Sequence, residues 1–167
     1  KRADRVGIDL GPGLAAEALH AIAKLRRTAG AHDEALRLYD EAIAADPAYW
    51  HAYNAKGMLL ASMNRFVEAI VAYKTGLAHA PRSPELHNNL GTALRRSGHG
   101  QEALACLEEG LRLAPEHKSI HLNLASTLDE AGRSQEAVDS LFALIDREPD
   151  YVDAHYNRAQ ALLSMGG

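Results

Sequence analysis

Three histidines, His87, His121 and His155, fall 34 residues apart, and His117 lies about one helical turn before His121. Imidazole nitrogens are common metal ligands, but ligation brings each to about 2 Å from a single ion. A step of 34 residues puts the ladder members on successive structural units. Packed helices lie about 10 Å apart, so the three rings do not converge. No metal site is expected, and the rings read as half-buried packing groups. Three asparagines, Asn89, Asn123 and Asn157, keep the same step. An amide is both donor and acceptor, so it pairs equally well with a peptide backbone or with another polar side chain. Two roles are open to this ladder: clamping an extended ligand, or tying one helix to the next. Cys106 is the sole cysteine, and no trustworthy nucleophile–base spacing surrounds it. The sequence has no phosphate-binding glycine loop, no zinc-finger spacing and no paired carboxylates in a cleft-forming context. Neither an enzymatic activity nor a cofactor is expected.

The elements that carry these ladders are set by a repeat. Pro47, Pro81, Pro115 and Pro149 are each 34 residues apart, as are Ala35, Ala69, Ala103 and Ala137, and Glu34, Glu68, Glu102 and Glu136. A turn position reads Gly30, Asn64, Gly98, Gly132 and Gly166. That position follows a helical pattern and needs positive φ, which glycine adopts freely and asparagine tolerates best among the other residues. The glutamate falls in the first turn of the next helix, where the macrodipole favours negative charge. The alanine after it lets two helices approach closely, and the proline ends the second helix. The register gives units at 16–49, 50–83, 84–117 and 118–151, with a partial unit at 152–167. Each full unit holds a helix A and a helix B of about fourteen residues, or about 21 Å. Residues 1–15, with Gly7, Gly11, Pro12 and Gly13, fit the register poorly and read as a linker or the end of an upstream segment.

Bulk properties agree. Hydrophobic residues make up 47 % of the 167 residues, too many for a disordered tail. The formal net charge is −4 and no basic block occurs, so nucleic acid is not an expected partner. No apolar run approaches membrane-spanning length, so no membrane insertion is expected. The single cysteine fits a reducing compartment, and the cytoplasm is the expected location.

The third unit reads His87-x-x-Leu90-Gly91-x-x-Leu94, Ala103-x-x-x-Leu107 and Pro115. The second reads Tyr53-x-x-Lys56-Gly57-x-x-Leu60, Ala69-x-x-x-Tyr73 and Pro81, and the fourth His121-x-x-Leu124-Ala125-x-x-Leu128, Ala137-x-x-x-Leu141 and Pro149. The first, Leu19-x-x-Ile22-Ala23-x-x-Arg26 with Ala35, Tyr39 and Pro47, is weaker. This pattern resembles the tetratricopeptide repeat family over residues 16–166. Lys56, Arg158, Arg26 and Leu144 depart from it, the first three by charge and the last by size, and are expected to bend the stack locally.

The resemblance implies an all-α fold, a right-handed α-α superhelix (solenoid) of tandem helix–turn–helix units, with helix A of every unit lining a concave groove. It implies an interaction scaffold whose partner is a protein or peptide. The groove residues it points to are Asn54, Asn88, Asn89, Asn123 and Asn157, with Arg95 and Tyr156. Lys24, Arg27, Arg95 and Arg96 give the N-terminal part of the groove positive charge, and Asp129, Glu130 and Asp153 give the C-terminal part negative charge; such a mixture reads first as an ordinary solvated helix face and second as a field that orients a charged peptide. Met58, Leu122 and Tyr156 offer apolar contacts. Two alternatives accompany this reading. The runs around His87 and His121 look like the repeats that precede glycosyltransferase domains of the protein O-linked N-acetylglucosamine transferase type, so the array would be the non-catalytic arm of a larger enzyme (a glycosyltransferase or a sulfotransferase). Alternatively, the partial fifth unit makes it a homo-oligomer through its C-terminal helix.

Overall fold

A computed structural model describes residues 11–166. They form α1 (Gly11–Thr28), α2 (His32–Ala45), α3 (Trp50–Ser62), α4 (Phe66–His79), α5 (Pro84–Arg96), α6 (Gly100–Leu113), α7 (Lys118–Glu130), α8 (Ser134–Arg147) and α9 (Val152–Met165), and no strand occurs among the described residues. Helices α1, α3, α5, α7 and α9 are the A helices; α2, α4, α6 and α8 are the B helices. Helix α1 starts at Gly11, so residues 11–15 of the expected linker belong to it. Pro12 reads equally as a linker residue or as the first turn of a helix, where its missing N–H is no loss. The rest of that expected linker, residues 1–10, lies outside the described residues.

Each hairpin turn uses the same backbone device. Gly30, Asn64, Gly98 and Gly132 have φ of 78°, 60°, 84° and 74°. The next residue's N–H then reaches back to close the A helix, as in Arg65 N to Leu60 O, His99 N to Leu94 O and Arg133 N to Leu128 O, all 2.9 Å. Gly166 corrects the expected ladder. Its φ is −95°, and no B helix follows it among the described residues to demand the reversal.

The core is a series of overlapping clusters that run along the array. Within a hairpin, a small A-helix residue faces the large B-helix residue. A Cβ added to Gly57 would sit 2.5 Å from the Tyr73 ring, and one on Gly91 would sit 2.6 Å from Leu107. Between hairpins, volumes trade across the joint. Gly76 meets Leu86 and Gly110 meets Ile120, while in the last joint Leu144 shares a cluster with Ala154. Leu144, out of pattern by size, is thus offset by a small neighbour. Two of the other departures are met by carboxylates, and the third, Arg158, has its Nε buried without a partner among the described residues. Lys56 pairs with Asp40 at 2.6 Å, Arg26 with Glu34 at 3.1 Å, and the Arg158 guanidinium lies 5.9 Å from the Phe142 ring centre.

Every A helix packs closely against the next A helix, whereas no two B helices approach as closely among the described residues; α4 and α6 are linked only at side-chain length, by the exposed Lys74–Glu102 ion pair at 3.5 Å. A stack closer together on one side than the other curves toward the tighter side. The A helices therefore line the concave face and the B helices the convex one.

Candidate interaction groove

The concave face is cross-tied by one geometric rule: a residue on an A helix meets the residue 35 positions later on the next A helix. The one-residue offset from the 34-residue repeat is the stagger between adjacent A helices. Asn89 Nδ2 donates to Asn54 Oδ1, and Asn123 Nδ2 to Asn88 Oδ1, both at 2.8 Å. Arg95 pairs with Glu130, and the Ser164 hydroxyl donates to Asp129 Oδ2 at 3.1 Å.

The expected groove residues thus divide. Asn54, Asn88, Asn89 and Asn123 form two inter-helix ties, each using one N–H and one carbonyl and leaving the rest of each amide's capacity uncommitted. Asn157 has Leu122 at its rule position and makes no side-chain hydrogen bond among the described residues. Arg95 is engaged by Glu130, with its side chain only 22 % exposed. Tyr156 is exposed on α9 and its hydroxyl accepts from Gln160 Nε2 at 2.8 Å.

The ties also redraw the charge pattern. The Arg95–Glu130 pair neutralises the middle of the groove. Asp129 is held by Ser134 at 2.5 Å as well as by Ser164. Arg96 lies 4.7 Å over the Phe66 ring and reaches Asn64 Oδ1 at 3.4 Å. Lys24 and Arg27 alone among these four cations make no side-chain hydrogen bond or ion pair among the described residues.

Two cavities open between A helices in the N-terminal half. The first, about 220 Å³, is lined by His20, Lys24, Arg27, Tyr39, His51, Asn54, Ala55 and Met58. The second, about 210 Å³, includes Met58, Phe66, Tyr73, Asn89 and Arg96. The B-helix tyrosines Tyr39 and Tyr73, themselves buried, form the floor, and Met58, 43 % exposed, stands between the cavities. The Tyr39 hydroxyl is buried with no hydrogen-bond partner among the described residues. Burial pushes its pKa up, partly opposed by Arg27. His20 Nδ1 lies 2.9 Å from the Tyr49 hydroxyl. Burial first, then the positive charges at Lys24, His51 and Arg27, hold His20 below the usual imidazole value.

Sequence reasoning missed the tyrosine floor, although a signal existed: Tyr39 and Tyr73 stand where the third and fourth units have Leu107 and Leu141. It also missed the histidine ladder's bond. Nε2 of His87, His121 and His155 lies 3.1, 2.9 and 2.7 Å from the carbonyl oxygens of Pro81, Pro115 and Pro149. Tyr53 replaces the imidazole in the second unit and donates to Pro47 O at 3.2 Å. A carbonyl only accepts, so the ring nitrogen carries the hydrogen, and each ring locks the loop six residues behind it. Cys106 is half-buried against the second cluster, where burial raises its thiol pKa. No helix among the described residues is long and apolar enough to cross a membrane.

The comparisons agree with this architecture. The Tetratricopeptide repeat family profile matches residues 26–93 and 94–163. Among curated protein sequences, none matches the chain. The crystal structure of the MamA protein is similar at 22 % identity and a TM-score of 0.82, covering 92 % of this chain and 84 % of that one. YrrB, described as a TPR protein with an unusual peptide-binding site, is similar at 22 % identity and 0.75, covering 90 % and 78 %. The first TPR of Spaghetti (RPAP3), bound to the HSP90 peptide SRMEEVD, is similar at 18 % identity and 0.69, covering 72 % and 95 %. With the profile spanning most of its length and its helices stacked in the same 34-residue register, this chain belongs to the tetratricopeptide repeat family.

Proposed function

We propose that this chain is an interaction scaffold that holds an extended peptide segment in its concave groove, chiefly across α1, α3 and α5. One observation carries the reading. The N-terminal half of the groove keeps two open cavities joined at Met58, whereas the α5–α7–α9 part is laced by Arg95–Glu130 and Asp129–Ser164. Adjacent A helices about 10 Å apart match about three residues of extended peptide, so the spare amide capacity of the Asn54–Asn89 and Asn88–Asn123 pairs falls at intervals a backbone can use. Arg95 belongs to the middle of the same groove, and Asn157 and Tyr156 to its far end. The peptide-bound Spaghetti structure and the YrrB description support the reading by likeness of fold. The same groove serves unchanged in the arm of a larger enzyme. The test is selection from a random twelve-residue peptide display library, followed by binding measurements on two variants. Met58→Glu should weaken the selected peptides at least about tenfold, while Val67→Glu on the convex face should leave them unchanged. The opposite pattern would move the site to the convex face.

A second reading, self-association, has its own observation. Ala52, Leu86, Ile120 and Ala154 are buried by the preceding B helix, as are Leu59, Ala93, Thr127 and Ala161 one helical face along. At the first unit the equivalents Ala18 and Leu25 are open, Leu25 at 69 % exposure, and on α9 Ala159 and Leu162 are open likewise. A second copy stacked end to end covers both open apolar faces, that of α1 and that of α9. Sedimentation velocity over a concentration series decides: association that vanishes with Leu25→Lys or Leu162→Lys supports it, and a monomer throughout ends it.

A further inference from the structure

The two groove cavities sit one repeat apart but differ in chemistry. Arg95, in the third unit, finds Glu130 at its rule position 35 residues on. Its counterpart in the first unit, Arg27, finds Ser62 there, whose hydroxyl donates to Leu59 O at 2.7 Å. His20, the counterpart of Asn54 and Asn88, finds Ala55 instead of an amide. So neither the amide tie nor the charged tie forms between α1 and α3, whereas every later A–A joint keeps at least one tie. No carboxylate lines the cavity. The nearest on α1 is Glu17, which lines the adjoining recess with Lys24 and Tyr49. Arg26, next in sequence to Arg27, already has Glu34 at 3.1 Å and is not part of the cavity.

What remains is a set of donors without an acceptor. Lys24 and Arg27 bring two positive charges, His20 and His51 stand beside them, and the fully buried Tyr39 hydroxyl has no partner. An unpaired buried hydroxyl is costly, and one bound oxygen relieves it. Two adjacent cations match a dianion better than a single carboxylate, and charge-assisted bonds to phosphoryl oxygens are the strongest such a set can make.

We propose that the cavity between α1 and α3 is a phosphoryl-binding site, in which Lys24 and Arg27 hold the oxygens of a phosphorylated residue of the peptide and Tyr39 donates a third hydrogen bond. The carrier rests on the groove reading; the anion site does not. His20 is held neutral first by burial and then by the neighbouring cations; a bound dianion offsets the cations, so protonation and binding favour each other.

The test uses inorganic phosphate as the probe, with the intact chain followed by NMR at about pH 7.5, where the dianion predominates, and with a pH titration through the imidazole range to read the His20 pKa with and without phosphate. Phosphate should shift signals of His20, His51 and Asn54 saturably, with a dissociation constant on the order of 1 mM, and should raise the His20 pKa. Acetate and chloride at matched ionic strength should act at least about tenfold more weakly, as expected of monoanions. Lys24→Gln with Arg27→Gln should abolish the effect. Arg26→Gln, which removes one charge outside the cavity, should not. Tyr39→Phe should keep the fold and weaken phosphate about tenfold, the worth of one charge-assisted hydrogen bond. Equal response to chloride or acetate, or insensitivity to the Lys24/Arg27 change, overturns the proposal and leaves the peptide selection untouched. Failure of that selection leaves the phosphate titration standing.

Discussion

At the scale of single residues, the polar ladders stabilise the joints between units. Replacing His87 by Phe keeps a ring in place and removes the donor to Pro81 O, so it should cost about 1 kcal/mol in urea unfolding. His87→Tyr should recover much of this, because Tyr53 makes the same bond from the same position. An equal loss in both variants would show that packing, not the bond, is what matters. His20 gives a pH dependence whose sign is fixed. Burial and neighbouring cations lower its pKa, so the folded chain favours the neutral ring more than the unfolded chain does. That stability is complete above about pH 6.5, the unfolded value, and is lost as pH falls below it. Thermal melts between about pH 7.5 and pH 5.5 should therefore fall more steeply for the wild type than for His20→Gln; parallel curves would contradict the assignment. The spacing of both ladders was legible in the sequence, but their partners were not. The proline bond depends on a loop returning six residues later, and the asparagine tie on a one-residue stagger that no single repeat encodes.

At the scale of elements, the turn ladder was the most legible feature, because left-handed backbone writes itself directly into residue choice. Asn64, at φ 60°, is the informative member. Asn64→Ala places a Cβ residue without a compensating amide in that conformation and should destabilise by about 1–2 kcal/mol. Asn64→Gly removes the strain but gives up the contact from Arg96 and loosens the unfolded chain, so it should stay within about 0.5 kcal/mol of the wild type. If alanine is tolerated as well as glycine, the turn does not govern the hairpin. Where the sequence misled, glycine and proline were ambiguous. Gly11 and Pro12 open α1 rather than ending something upstream, and Gly166 lacks the positive φ of its ladder mates. The mixed charges along the groove form no simple gradient, since Arg95 and Glu130 cancel each other.

At the scale of the whole molecule, stability is a sum over joints, and a repeat array tests this with one residue type at one position. Leu60, Leu94 and Leu128 close the inner face of their hairpins and are no more than 4 % exposed. Leu162 occupies the same position on α9 and is 47 % exposed, because no B helix covers it among the described residues. The chemistry of a Leu→Ala change is constant across the four, so any difference in effect comes from place. Leu94, in the cluster that joins α3 through α6, should cost about 2–4 kcal/mol when truncated, from lost burial plus the cavity left behind. Leu162→Ala should cost under about 1 kcal/mol. Hydrogen exchange should show the same gradient, with α5 and α6 protected longest and α9 opening first, since end units have one neighbour and central units two. Were Leu162→Ala as damaging as Leu94→Ala in dilute, monomeric solution, α9 would have to be held by contacts this stack does not contain. If the excess damage appeared only at concentrations where the chain associates, the exposed face of α9 would be the joint between copies.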